Sequence, residues 1–161
     1  MKAKKSLGQN FLKDQVILKK IVELGKINNN DIVLEIGPGT GNLTEQILKK
    51  NPYKVIVVEK DQNLSEILKK KFGGKLDVIN EDILNCYKNF KFNTPLKVFG
   101  NLPYNISTKI LISFIQLDNL SKYYEKFIFI FQKEVAERIV ASVNSKNYGR
   151  LSIMTSWKMN K

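Results

Sequence analysis

Six short runs rich in β-branched residues, DIVLEI, KVIVVE, KLDVIN, LKVFG, FIFIFQ and LSIMTSW, recur along this chain with stretches of helical periodicity between them. No other feature narrows the fold as far. Apolar strands that do not alternate with polar residues must be covered on both faces, which a parallel sheet flanked by amphipathic helices achieves. Helices are expected over residues 15–24, with Asp14 as N-cap, over NLTEQILKK and NLSEILKKKF, and over about 107–115 and 134–142. The fold class predicted is α/β, a doubly wound, mainly parallel, Rossmann-like sheet of six strands in one domain. Ligands of such sheets sit at the carboxyl ends of the strands.

The loop after the first strand reads LEIGPGTGNLT, with Gly37, Gly39 and Gly41 ahead of a helix. Glycines there let the backbone turn sharply and approach a ligand closely. The dinucleotide fingerprint G-x-G-x-x-G would need glycine at Asn42, and no G-K-[ST] follows to make a P-loop. Glu35, at the end of the strand, is ill suited to a pyrophosphate and well suited to a ligand carrying an ammonium and a sulfonium. S-adenosylmethionine is such a ligand. A purely structural glycine turn is the competing reading.

Glu59 ends the second strand, 22 residues after Gly37, the spacing of a carboxylate that accepts ribose hydroxyls. Asp82, in INEDIL, either accepts the amino group of the cofactor's adenine or simply caps the following turn.

After the fourth strand comes FGNLPYNIS. A plain strand-ending turn does not need Asn101, Leu102, Pro103 and Tyr104 together. Attack by an adenine amine on a methyl donor does. The nitrogen must pyramidalise to recover its lone pair, and two acceptors aimed at its hydrogens favour that geometry most in the transition state. The Asn101 side-chain oxygen and the Leu102 carbonyl supply them, with Pro103 restricting Leu102 to extended backbone. Tyr104 offers a face to a base taken out of its stack.

The chain carries 27 basic and 15 acidic residues, a net charge of +12, which points towards a polyanion. A lysine- and asparagine-rich coding bias would produce part of that excess. Arg138 and Arg150 are the two guanidinium groups in a chain that otherwise uses lysine, although Arg138 is placed to pair with Glu134. There is no histidine, and Cys86 is alone, so neither an imidazole base, a Cys/His metal site nor an internal disulfide is available. A soluble, cytoplasmic protein without metal or membrane partner, and monomeric, is expected.

Seven motifs in order, LGQNFL, LEIGPGTGNLT, VVEKD, NEDIL, FGNLPYNIS, QKEVAER and YGRLS, resemble the ribosomal RNA adenine dimethylase family, in its small-subunit (KsgA-type) branch. The resemblance implies that Asn10 and Leu12 close over S-adenosylmethionine, that Gly37 and Gly39 hold its methionine part, and that Glu59 takes the ribose. It further implies that Asp82 reads the adenine, that Asn101 bridges cofactor and target amine, and that two adjacent adenosines near the 3′ end of small-subunit rRNA are dimethylated on immature subunits. The basic lead MKAKK, part of an N-terminal arm to about residue 14, and residues 145–150 are candidate RNA contacts. Family members continue beyond YGRLS into a proline-rich segment, a strand pair and a helical domain, which this chain is expected to lack. Two other classes stay open, a non-catalytic RNA-binding or ribosome-assembly factor and a DNA adenine methyltransferase. The latter more often has a second proline where Leu102 stands.

Overall fold

A computed structural model of the chain describes residues 12–160. Five parallel strands, β1 (Ile32–Ile36), β2 (Lys54–Val58), β3 (Asp77–Ile79), β4 (Leu96–Asn101) and β5 (Tyr124–Ile130), form one sheet in the order β3-β2-β1-β4-β5. The helices are α1 (Gln15–Leu24), α2 (Asn42–Leu48), α3 (Gln62–Phe72), α4 (Ile83–Cys86), α5 (Ser107–Ile115), α6 (Leu120–Tyr123), α7 (Lys133–Val140) and α8 (Arg150–Lys158). The strand order reverses between β1 and β4, which makes that junction the switch point at which such sheets bind ligands. The doubly wound parallel sheet read from the sequence is therefore present. The sixth strand is not.

LSIMTSW is the body of α8, set there by its hydroxyls together with Leu151, which is buried against Leu111 and Ile115. Ser152 Oγ donates to the Arg138 carbonyl at 2.6 Å and accepts the Gly149 N–H, while Thr155 Oγ1 lies 3.2 Å from the Ile139 carbonyl. Those two carbonyls belong to the last turn of α7, where a helix leaves its acceptors unsatisfied. Ser152 and Thr155 can both reach them only three residues apart on one helical face; in a strand they would point to opposite sides. Ile153 and Trp157 are exposed.

Both sheet faces are covered by apolar layers. On one, Leu18 and Val22 of α1, Ile47 of α2 and Leu68 of α3 pack against Val33, Val55, Val57 and Phe99. On the other, Leu34, Ile36, Val98 and Leu102 pack with Ile110 and Phe114 of α5. Phe114 is fully buried and meets Tyr87, Tyr124 and Phe127 edge-on, with ring centroids 5.2 to 5.5 Å apart. That aromatic cluster anchors α5, and with it the NLPY loop that leads into it.

At the amino end of the sheet, buried Lys97 donates to Asp31 Oδ2 at 2.7 Å and to the Lys26 carbonyl at 3.0 Å. This pair ties the segment entering β1 to β4, reinforcing the register Ile36↔Gly100 that aligns the opposite, carboxyl ends of the two strands. The outer strands differ. β5 has seven residues and β3 only three, with Asp77 of β3 paired to Lys54 at 2.7 Å.

Candidate active site

The strand register sets the site. Ile36 pairs with Val58 on one side and with Gly100 on the other, so the residues that follow, Gly37, Glu59 and Asn101, emerge in one row at the carboxyl edge. Val58 in turn pairs with Ile79, and Asn80, next along, donates its side-chain amide to the Glu59 carbonyl at 2.8 Å. Three positions that sequence spacing picks out independently thus share one shelf.

Gly37 and Gly39 adopt φ of +64° and +60°, the left-handed region that favours glycine. No atom lies within 4 Å of the point where a Cβ on Gly37 would stand, so the loop borders open space there. Gly41 is glycine for a different reason. Its φ is +80°, and a Cβ would come 2.5 Å from Phe72 Cε2. A Gly41→Ala variant is expected to lose about 2 kcal/mol in urea-induced unfolding, from left-handed strain and overpacking together. An unchanged midpoint would show that α3 yields freely at Phe72.

A cleft beside this loop is lined by Leu12, Glu35, Gly37, Thr40, Asn42 and Asn101, among others. Glu35 is almost completely buried and accepts the Thr44 hydroxyl at 2.6 Å. Burial pushes its carboxyl up to about 8, the Thr44 hydrogen bond partly opposes this, and the Glu59 charge adds to the rise. Glu59 is also buried. Its own carboxyl is raised by burial and held back by the N–H groups of Asp61 at 2.9 Å and Gly39 at 3.1 Å. Two desolvated carboxyls beside one glycine loop favour a cationic ligand over an anionic one. With the Lys60 N–H as a third backbone donor, three of the four Glu59 lone pairs are engaged and one is left for a further donor.

Asp82 lies further along the same edge, outside the cleft, and caps α4 through the Leu84 N–H at 2.9 Å. Its other oxygen pairs with Lys60 Nζ at 2.9 Å. Burial works against its ionisation, yet the Leu84 N–H and the Lys60 ammonium outweigh that and hold it below the ordinary carboxylate value. The capping role expected of Asp82 is formed, and it leaves lone pairs for a further donor.

Among the remaining candidates, Asn101 lines the cleft at the end of β4. Leu102 is buried in the core beneath it, whereas Tyr104 is 39% exposed. Pro103 accepts the Ile106 N–H at 3.1 Å, closing the turn into α5. Leu12 is a wall of the cleft; Asn10 and the MKAKK lead lie outside the described residues. Arg138 and Arg150 are both exposed, and Arg138 does not form the Glu134 ion pair its spacing allows, the α7 ion pair being Lys133 with Glu137 at 3.8 Å. Residues 145–147 are exposed in the turn between α7 and α8. Burial raises the Cys86 thiol to about 11, so it is an unreactive core group.

The sequence reading omitted Thr44 and Lys60 from the site. Thr44 could have been found as the one hydroxyl on the inner face of α2 opposite an acid in an apolar strand, and Lys60 by its place next to Glu59. Among the described residues no group of three or more His, Cys, Asp or Glu side chains could hold a metal, and no helix is long and apolar enough to cross a membrane.

Comparison with known proteins identifies the family. The model of a family described as ribosomal RNA adenine dimethylase matches residues 1–161. The chain is 53% identical over 160 residues to ribosomal RNA small subunit methyltransferase A of Pelagibacter ubique, covering 99% of this chain and 61% of the relative. Identity to the same-named protein of Wolbachia pipientis is 43%, over 96% of this chain and 59% of the relative. The chain thus spans about 60% of the length of these curated relatives. Among solved structures, a dimethyladenosine transferase from Plasmodium falciparum superposes with a TM-score of 0.75 at 35% identity, covering 91% of this chain and 52% of that one. The 23S rRNA methyltransferase ErmE does so with a TM-score of 0.77 at 27% identity, covering 91% and 57%. With its glycine loop, its acidic second-strand end and its Asn-Leu-Pro-Tyr turn aligned on one sheet edge, the chain belongs to the ribosomal RNA adenine dimethylase family.

Proposed function

We propose that this chain carries the cofactor and catalytic half of an enzyme that dimethylates the exocyclic amines of two adjacent adenosines near the 3′ end of small-subunit rRNA, during ribosome assembly. The observation that carries this reading is the row formed by Gly37, Glu59 and Asn101 at the β1/β4 switch point. S-adenosylmethionine, when bound, supplies a methyl group made electrophilic by a cationic sulfur. The chain's own groups fit it. Gly37 offers backbone beside open space, Glu35 and Glu59 favour a cation nearby, and Glu59 and Asp82 keep acceptor capacity for hydroxyl and amino donors.

Asn101 and Leu102 prepare the nucleophile. Their two oxygens accept the hydrogens of the target amine and draw its lone pair out of conjugation, an effect that grows as the nitrogen pyramidalises. Tyr104, exposed beside them, receives the base that has left its stack. The excess proton of the methylated amine passes to solvent, so no imidazole is required of a chain that has none. The net charge of +12 supports binding to the RNA backbone.

The test is transfer of labelled methyl groups to unmethylated small ribosomal subunits, large subunits or duplex DNA. Label is expected in small-subunit RNA alone. Label in large-subunit RNA or DNA would overturn the substrate assignment, and tight subunit binding without any transfer would favour the assembly-factor reading.

A further inference from the structure

Asn42 stands where a dinucleotide fingerprint would have its third glycine, and its side chain does not serve its own helix. An Asn at the start of a helix ordinarily turns onto neighbouring backbone. Here Nδ2 donates instead to the Leu12 carbonyl, 2.9 Å away and thirty residues earlier in the chain. One turn further along α2, buried Gln46 donates through Nε2 to Gln15 Oε1 at 2.8 Å. Positions i and i+4 share a helix face, so α2 grips the segment entering α1 at two points. That segment carries Leu12, which faces Glu35, Gly37 and Asn101 across the cleft.

We propose that Asn42 and Gln46 form a latch that holds Leu12 as a wall of the cleft and so sets how long a bound ligand is retained. The proposal rests on the cleft being the methionine end of the cofactor site. Lys13 and Asp14 are exposed, and Leu12 is only half-buried against the apolar layer of Leu18, Leu43 and Ile47. The two side-chain amides add to that partial packing. Asn42 acts here as a positioning residue, through Leu12, and not on the reacting atoms.

Rapid-mixing displacement of S-adenosylhomocysteine from the wild-type chain, Asn42→Asp, Asn42→Ala and Gln46→Ala tests this. Asn42→Asp keeps the shape of the side chain but exchanges the donor for an acceptor that repels the Leu12 carbonyl. Dissociation is expected to quicken about tenfold in Asn42→Asp, the worth of one hydrogen bond, with the association rate little changed. Hydrogen exchange of the amides at 13–16 should quicken in the ligand-free variants while that of β1 and β4 does not, which separates an opened latch from general unfolding. Equal dissociation rates in the wild type and all three variants would overturn the latch. Failure of the wild type itself to bind S-adenosylhomocysteine is a different outcome, and overturns the reading of the cleft, and the retention role with it.

Discussion

Replacing Asn101 by Ala is expected to reduce methyl transfer to unmethylated small subunits by roughly 100- to 1,000-fold, the range seen when one preorganised polar group is removed from a transition-state site. The side chain lines the cleft at the end of β4 and lies outside both apolar layers, so its loss leaves the core intact. Affinity for S-adenosylhomocysteine should therefore fall far less than the transfer rate, which places the loss in the transition state rather than in binding. Asn101→Asp keeps an acceptor oxygen and should retain more activity than Ala. Equal transfer by wild type and Asn101→Ala would remove the hydrogen-bonded amine from the mechanism.

Glu35→Gln should be more stable than the wild type at neutral and alkaline pH and indistinguishable from it in mild acid. The folded-state carboxyl titrates at about 8 rather than 4.5, so the native chain binds this proton more tightly than the unfolded chain. Stability linked to Glu35 is complete below pH 4.5 and is lost progressively as pH rises through about 8. At pH 7 the penalty is about 3 kcal/mol, from the 1.36 kcal/mol that each pH unit represents. Glutamine removes that penalty and can still accept the Thr44 hydroxyl, although its NH2 group then needs a partner. The melting temperature should rise by several degrees at pH 8 and not at pH 4.5. The same variant should bind S-adenosylmethionine more weakly, since glutamine cannot ionise opposite a cationic ligand as the Glu35 carboxyl can. A rise in melting temperature independent of pH would assign the effect to packing instead.

These two residues also mark how far the sequence could be read. The row of Gly37, Glu59 and Asn101 was legible because strand ends in a parallel sheet are level, so spacing along the chain translates into position along one edge. Helices α1 and α5 fall on the expected residues 15–24 and 107–115, although α1 buries Leu18 and Val22 and leaves the apolar Val16, Ile17 and Leu24 exposed. By contrast, Glu35 owes its raised carboxyl to burial, opposed by Thr44 nine residues on, and Asp82 is held low by the Leu84 N–H together with Lys60, twenty-two residues back. Such pairings exist only once the chain is packed. The misread stretch is 151–157, where β-branched and apolar residues suggested a strand. Ser152 and Thr155 settled the matter by meeting the open end of α7, a demand written in neither residue's own propensity.

The unequal outer strands have a practical consequence. Among the described residues, seven-residue β5 has no partner strand on its outer side and so leaves one adhesive flank, while three-residue β3, with its paired Asp77, offers a neighbour scarcely any ladder to extend. A particle sticky on one side can be silenced by a twin but cannot hand the contact onward, because a self-complementary pairing closes on itself. Concentrated solutions should therefore stall at couples rather than grow into fibres. Light scattering that climbed without a plateau would point to a second sticky surface elsewhere.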